Sequence, residues 1–148
     1  MNALGNHILA EISSCNSDTL SNLNKVREIM TQAAIYANAE IRESVFHKFY
    51  PHGVSGVVVI AESHLAIHTW PELGYAAIDI YTCGDHTKPW VACEFIANAF
   101  ESNCIKTTEV ERGIADNNGI YSHKVISKKV TSNGVKANAQ NKELAMVS

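Results

Sequence analysis

The segment 54–82 constrains the fold more than any other part of the chain, because it is dense in β-forming residues. Three runs rich in Val, Ile, Thr, Tyr and Trp follow one another there, over residues 57–60, 64–70 and 75–82. Pro71 ends the second run, and Gly84 with Asp85 ends the third, which is typical of strand termini. The pattern predicts neighbouring strands of one sheet.

Helical periodicity lies on both sides of this segment. From Ser17, apolar residues recur every three or four positions as far as Ala37, which predicts an amphipathic helix of about twenty residues. Its inward-facing residues are expected to be Leu23, Val26 and Met30. A second helix is predicted to begin near Pro89, with Thr87 as its N-cap and an apolar face that includes Phe95.

Further strands are predicted over residues 7–12, 41–49, 105–111 and 120–126. Two helices beside one antiparallel sheet make an α+β fold, a two-layer sandwich with the helices packed on one face. We expect a single domain over residues 1–128. Residues 129–148, which are rich in Lys, Asn and Ser, are expected to form a polar, mobile tail.

Composition excludes several classes of protein. Hydrophobic residues make up 46% of the 148 residues, which is enough for a packed core and excludes a disordered chain. The net charge of −3 argues against a nucleic-acid-binding surface. No apolar run approaches the roughly 20 residues that cross a bilayer, and residues 1–10 lack the features of a signal peptide. Four cysteines without a Cys-x-x-Cys motif indicate no disulfide framework, so we expect a cytoplasmic protein.

Reactive side chains crowd into residues 62–86, where β-propensity alone predicts a plain sheet. Conflict of this kind often marks a functional site. A metal site is one possibility, since His64 and His68 lie four residues apart with Cys83 and His86 downstream. On a strand, however, four residues span roughly 13 Å, which is too far for one ion to bridge, so we expect no bound metal.

Two other catalytic sites can be considered. Ser55 lies in Gly-Val-Ser-Gly-Val, one glycine short of the Gly-x-Ser-x-Gly motif of hydrolases, and no strand-to-helix turn surrounds it. A thiol enzyme would use Cys83, which ends a predicted strand, whereas Cys93 and Cys104 are expected in the core. Spacing alone does not specify a nucleophilic role for Cys83, and Asp79 is expected at a strand end.

A fourth possibility is the bond between Glu62 and Ser63, which lies between two predicted strands. The Ser63 hydroxyl could attack the preceding carbonyl and convert the amide to an ester. Removal of the serine α-proton would then eliminate the ester to dehydroalanine, which hydrolyses to a pyruvoyl group. A Glu-Ser dipeptide is too common to indicate this chemistry by itself.

A longer stretch of sequence does indicate it. Residues 54–72, VSGVVVIAESHLAIHTWPE, resemble the prokaryotic S-adenosylmethionine decarboxylase proenzymes. The similarity continues in GYAAID at 74–79 and TCGD at 82–85, and it includes GNHILA at 5–10 and ESVFHKF at 43–49. The resemblance covers about residues 3–105.

The resemblance implies roles for the matching residues. The proenzyme cuts itself between Glu62 and Ser63, and Ser63 becomes a covalent pyruvoyl cofactor. His68 matches the base of the elimination step, and Cys83 matches the acid that protonates the product carbanion.

The resemblance also implies a substrate and an assembly. Ser55 assists processing, Glu72 holds the ribose hydroxyls and Phe49 stacks on adenine. The implied reaction decarboxylates S-adenosylmethionine through a Schiff base to the pyruvoyl group, for spermidine biosynthesis. The family assembles from two copies of each of the two fragments. Two alternatives remain: a paralogous arginine or ornithine decarboxylase on the same scaffold, and an uncleaved, non-catalytic regulatory subunit.

Overall fold

The computed structural model of the chain describes residues 3–61 and 63–132. Its strands are β1 (Ala3–Ser13), β2 (Ile41–Lys48), β3 (Val54–Ile60), β4 (Ser63–Trp70), β5 (Tyr75–Cys83), β6 (Cys104–Ala115) and β7 (Tyr121–Ser132). In this described part of the chain, the seven strands form one sheet in the order β2-β3-β4-β5-β1-β6-β7. Every neighbouring pair is antiparallel. The first strand of the chain is therefore an inner strand of the sheet.

Alternating burial gives the sheet two different faces. In β1, Ile8, Ala10 and Ile12 are buried, and the residues between them are more exposed. β4 and β5 repeat the pattern, with Leu65 and Ile80 among their fully buried residues. Because strand side chains alternate between faces, one face of the sheet is apolar and the other is more polar.

The helices cover the apolar face. α1 (Ser17–Leu20) and α2 (Leu23–Tyr36) follow β1, and α3 (Pro89–Ala99) follows β5. α2 packs over β2 and β3, and α3 packs over β5 and β1. Val26 and Met30 of α2, with Ile96 of α3, join the sheet residues in one hydrophobic core, and Leu23 packs against it. The opposite side, which we call the open face, includes the side chains of Ser55, Val57, His64, His68, Asp79 and Tyr81.

This arrangement confirms the predicted α+β sandwich, with an antiparallel sheet and helices on one of its faces. The predicted strands are all present, and several are longer than the sequence pattern indicated. Among the described residues, no helix combines the length and the apolar character that crossing a membrane requires.

The first predicted helix is divided in the structure. α1 ends at Leu20 and α2 begins at Leu23, so the prediction of one continuous helix from Ser17 is wrong. The side chain of Asn22 accepts a hydrogen bond from the N–H of Lys25, at 3.0 Å. An asparagine in this position caps a new helix, which is why the earlier turn does not continue.

The start of α3 also differs from the prediction. Pro89 occupies the first turn as expected, but the N-cap is Lys88 rather than Thr87, and it makes no side-chain capping bond. The Thr87 hydroxyl is buried and has no hydrogen-bond partner among the described residues. Thr87 is therefore enclosed beside the helix instead of capping it.

The predicted tail begins too early. β7 runs to Ser132, so residues 129–132 belong to the sheet, where they pair with β6. Lys129 lies opposite Thr107, and its ammonium nitrogen lies 5.1 Å from the centre of the Trp90 ring. Strand pairing and this cation–π contact explain the order that composition did not predict. Residues 133–148 of the predicted tail lie outside the described residues.

We predict that Gly56→Ala destabilises the sheet beside Ser55. A Cβ atom at Gly56 would come within 2.0 Å of Cδ2 of the Phe46 ring on β2. Moving this ring from its packed position should lower the free energy of unfolding by about 1–3 kcal/mol, measured by urea denaturation. In the double variant Gly56→Ala/Phe46→Ala the clash is removed. Its free energy of unfolding should therefore fall by less than the sum of the decreases in the two single variants. Additive losses would contradict the clash.

Candidate functional site

Ser55 and His68 form a hydrogen-bonded pair on the open face. They are cross-strand partners on β3 and β4, and Oγ of Ser55 lies 2.7 Å from Nδ1 of His68. The adjacent Thr69 fixes this end of β4, since its buried hydroxyl accepts from the N–H of Val54 and donates to the carbonyl of Leu20. His68 is therefore presented from an anchored backbone.

Phe49 and Glu72 lie at the same end of the sheet as this pair. Phe49 directly follows β2, and its ring centre lies 4.6 Å from that of His47, which is the cross-strand partner of Ser55. Glu72 lies in the short 3-10 turn directly after β4, at the edge of a cleft of about 380 Å³. Both side chains are exposed, so both can contact a ligand.

Ser63 and Cys83 lie at the other end of the sheet. Ser63 begins β4, after a two-residue connection from β3, and is half-buried. Cys83 ends the neighbouring strand β5 and forms no disulfide. The antiparallel register pairs His64 with Tyr81, so Ser63, just before His64, and Cys83, two residues after Tyr81, lie beyond that pair at the same end of the β4–β5 ladder. Glu62, in the connection, lies outside the described residues.

The length of β4 separates these two groups of residues. Five residues from Ser63 to His68, at about 3.3 Å each, place the two backbones roughly 16 Å apart. No side chain bridges that distance by a hydrogen bond. The residues singled out by the sequence therefore form two clusters within one copy of the chain. We call them the serine–cysteine cluster, of Ser63 and Cys83, and the histidine cluster, of Ser55, His68, Phe49 and Glu72.

The structure bears on the other catalytic sites that the sequence raised. Ser55 lies inside a strand and follows a turn at Gly53, whose φ is 101°, so the strand-to-helix turn of the hydrolase motif is absent around it. His64 and His68 lie on one extended strand, as predicted. Within residues 3–61 and 63–132, no group of three or more His, Cys, Asp or Glu side chains is placed to hold a metal ion.

Burial raises the pKa of two cysteine thiols, those of Cys93 and Cys15. Cys93 is buried in the core, as predicted, and burial raises the pKa of its thiol to about 12. Burial likewise raises the pKa of the Cys15 thiol to about 11. Both therefore stay protonated at neutral pH, where a thiol is a poor nucleophile. Cys104 is only half-buried, so its predicted core position is wrong.

Comparison with known proteins identifies the family. Residues 6–113 match the family described as S-adenosylmethionine decarboxylase. The chain belongs to this family. It is 59% identical over 116 residues to the S-adenosylmethionine decarboxylase proenzyme of Syntrophomonas wolfei, which covers 78% of this chain and 92% of that protein. The proenzyme of the same name from Moorella thermoacetica is 57% identical over 116 residues and covers 78% and 93%. The crystal structure of the adenosylmethionine decarboxylase from Aquifex aeolicus aligns with a TM-score of 0.74 at 38% identity, over 79% of this chain and 97% of that one.

This member of the S-adenosylmethionine decarboxylase family has a third group of polar residues near the middle of the open face. Nε2 of His7 on β1 lies 3.5 Å from Oδ1 of Asp79 on β5. The rings of Tyr81 and His64 lie 5.5 Å and 6.3 Å from the ring of His7. Nη1 of Arg112 on β6 lies 3.5 Å from Nδ1 of His7. We call these five residues the central cluster.

The central cluster was not predicted from the sequence. Asp79 lies in the middle of β5, so the expectation of a strand-end aspartate is wrong. One signal was available, since period-two alternation places Asp79 and Tyr81 on the same face as Cys83. The contact with His7 could not be read in the same way, because it depends on β1 pairing with β5 from the other end of the chain.

The central cluster shifts two pKa values. The contact with the His7 imidazole is the largest influence on Asp79 and holds the pKa of its carboxyl below the ordinary value. Burial, followed by the nearby charge of His7, lowers the pKa of His64 below its ordinary value. The folded protein therefore keeps Asp79 ionised and resists protonation of His64.

We predict that His64 makes the protein acid-sensitive. Its folded-state pKa lies below the ordinary 6.5, so the unfolded chain binds the proton first and stability falls as the pH drops through about 6.5. The melting temperature, measured by calorimetry, should fall less between pH 7.5 and pH 5.5 in His64→Gln than in the wild type. His86→Gln, which removes an exposed imidazole, is the control and should follow the wild type. Equal losses in the wild type and His64→Gln would contradict this prediction.

Proposed function

We propose that the protein is a self-processing, pyruvoyl-dependent decarboxylase that converts S-adenosylmethionine to decarboxylated S-adenosylmethionine and CO2 for spermidine biosynthesis. Membership of the family and the proenzyme names of its relatives support this proposal. The hydrogen-bonded Ser55–His68 pair is the observation that carries it, because processing needs a base and a partner that orients the base. Ser63, at the start of β4, supplies the hydroxyl that attacks in processing, and Cys83, at the end of β5, supplies the thiol that donates a proton in turnover.

Processing begins at the bond between Glu62 and Ser63. Oγ of Ser63 attacks the carbonyl carbon of Glu62, and the C–N bond breaks to leave an ester and an amine. A base then removes the α-proton of Ser63, and the bond from Cβ to the ester oxygen breaks, so Glu62 departs as a carboxylate. The remaining dehydroalanine takes up water, releases ammonia and leaves a pyruvoyl group, without any outside oxidant.

His68 is suited to remove that proton. Its Nδ1 is occupied by the 2.7 Å hydrogen bond with Ser55. In the tautomer whose Nδ1–H donates to Oγ of Ser55, Nε2 keeps its lone pair and can accept a proton. Ser55 thus orients the imidazole, and in this tautomer it leaves Nε2 available as the base, which is how it assists processing.

Turnover uses the residues around the processed serine. Once formed from Ser63, the pyruvoyl group would supply an electrophilic carbonyl for the substrate amine and an electron sink for the loss of CO2. Cys83, at the end of the strand beside Ser63, donates the proton that the α-carbon needs. The exposed carboxylate of Glu72 accepts hydrogen bonds from the ribose hydroxyls, and the exposed ring of Phe49 stacks on adenine.

The proposal requires two copies of the chain, since Ser63 and His68 of one copy lie roughly 16 Å apart. A second copy that faces the first across the open face, with its β4 running in the opposite direction, brings its histidine cluster to the serine–cysteine cluster of the first. Apolar side chains that remain exposed on the open face support such a contact. They are Leu9, Val45, Val59 and Trp70. We therefore propose an assembly of two copies of each fragment; the cytoplasmic location stays a prediction.

Ser63→Ala should remain a full-length chain without decarboxylase activity, because it lacks the attacking hydroxyl. Intact-mass spectrometry checks this result against the wild type, which should give two fragments that meet between residues 62 and 63. Ser44→Ala, which removes an exposed hydroxyl from β2, is the control and should be cleaved normally. Normal cleavage of Ser63→Ala would exclude the mechanism, and an uncleaved wild type would support the regulatory-subunit alternative.

Two inactive variants should rescue each other if the site is shared between copies. His68→Gln and Ser63→Ala should each stay uncleaved when expressed alone. When the two are co-expressed with different tags, only the His68→Gln chain should be cleaved, because its Ser63 meets the intact His68 of the other chain. Mixed dimers that contain no cleaved chain would contradict the shared site. Cleavage of His68→Gln expressed alone would exclude His68 as the base of processing.

Cys83→Ala should be processed but should turn over about 10²-fold more slowly, the usual loss when a general acid is removed. The rate of CO2 release from S-adenosylmethionine measures the effect, with Cys104→Ala as the control cysteine. A full rate in Cys83→Ala would remove Cys83 from the role of proton donor. Faster CO2 release from arginine or ornithine than from S-adenosylmethionine would favour the paralogous decarboxylase.

A further inference from the structure

The central cluster concentrates charge on the face that we propose to meet a second copy. Nε2 of His7 is buried without a hydrogen-bond partner among the described residues, and its 3.5 Å contact with Asp79 is an ion-pair distance. Within residues 3–61 and 63–132, no carboxylate lies within 4 Å of the Arg112 guanidinium group. The guanidinium carbon lies 5.2 Å from the centre of the Tyr81 ring. The Asp79 side chain is still 42% exposed, so it has room for a further partner. Buried or covered charges of this kind require compensation.

The two functional clusters determine where a two-fold axis runs between the facing sheets, perpendicular to the strands. An axis that carries Ser63 of one copy onto His68 of the other passes midway between them along β4, beside Leu65. The open-face positions on either side of Leu65 are His64 and Ala66. The ladders extend these positions into two rows across the sheet, one of His64, Tyr81 and His7, and one of Ala66, Asp79 and Leu9.

A two-fold axis between these rows lays the first row of one copy over the second row of the other. From this placement we infer that the His7–Asp79 pairs of two copies meet at the axis and form one ionic cluster that holds the copies in register. Each Asp79 then lies over the partner's Tyr81, and the partner's His7 is one strand away, at about 4.8 Å across the sheet. The carboxylate therefore lies between the partner's imidazole and its own. Packed sheets lie about 10 Å apart, a gap that opposing side chains of this length fill. The inference rests on the proposed function, which supplies the two-copy arrangement.

The composition of the cluster makes this contact sensitive to acid. Asp79 faces His7 from β5, with Tyr81 on the same strand, His64 from β4 and Arg112 from β6. Farther along the open face lie the imidazoles of His47, His68 and His123, the carboxylate of Glu11, which accepts from the Tyr75 hydroxyl, and the ammonium group of Lys106. Two Asp79 carboxylates balance two Arg112 guanidinium groups near neutral pH. The charge of Arg112 is one of the influences that lower the pKa of His64. Acid that protonates His64 therefore places two like charges side by side in the cluster, which weakens the contact.

Subunit exchange tests the inference in the full-length protein. Two preparations that carry tags of different mass are mixed at pH 7.5 and at pH 5.5, and native mass spectrometry follows the appearance of mixed dimers. Asp79→Asn and His7→Gln each remove one member of the pair, and either should exchange at least ten-fold faster than the wild type at pH 7.5. Glu28→Gln removes an exposed carboxylate from α2, on the other side of the sheet, and should exchange at the wild-type rate.

Acid should accelerate exchange of the wild type, and His64→Gln should reduce this acceleration. Circular dichroism establishes that each variant is folded, and the two single variants test the pair independently. Wild-type exchange rates in both Asp79→Asn and His7→Gln would overturn the inference while leaving the proposed function intact. A wild-type protein that is cleaved and active as a monomer would overturn the shared site of the proposed function and the inference with it.

Discussion

The hydrogen-bonded ladders that join β4 to β3 and β5 determine where the reactive side chains lie. The β3–β4 register sets Ser55 opposite His68 and allows their 2.7 Å contact. The same extended backbone carries Ser63 roughly 16 Å away from that imidazole. A helix would have brought residues five apart within about 8 Å, at 1.5 Å per residue. The strand geometry thus keeps Ser63 and His68 apart within one copy, which is why the mechanism we propose requires a second copy.

The sequence predicted features that depend on local periodicity and missed those that depend on competition between neighbouring residues. The strands, the two-layer architecture and the inward-facing Val26 and Met30 follow from apolar spacing. The division between α1 and α2 depends on the side chain of Asn22, a single hydrogen bond that no periodicity records. The last residues of β7 are polar, and they are ordered by pairing with β6 and by the contact between Lys129 and Trp90.

Local sequence patterns were also insufficient to predict the geometry of the candidate site. The residues came from a resemblance in sequence, and the family assignment agrees with it. Their separation into two clusters became apparent only with the register of β3, β4 and β5. The contact between His7 and Asp79 was inaccessible to sequence reasoning because it depends on the pairing of β1 with β5. Local propensity predicts a strand but does not choose its neighbour, which is fixed by packing across the whole sheet.

The sheet order has a consequence for a chain cut between residues 62 and 63. β1, β2 and β3 would belong to one fragment and the remaining strands to the other. Across the sheet, however, their order is β2-β3, then β4-β5, then β1, then β6-β7. Strands of the two fragments would therefore alternate across the sheet and be held together by the ladders β3–β4, β5–β1 and β1–β6. Neither fragment would contain a complete sheet. The cut would break one peptide bond and leave the fold unchanged, so the two fragments would separate only when the protein unfolds.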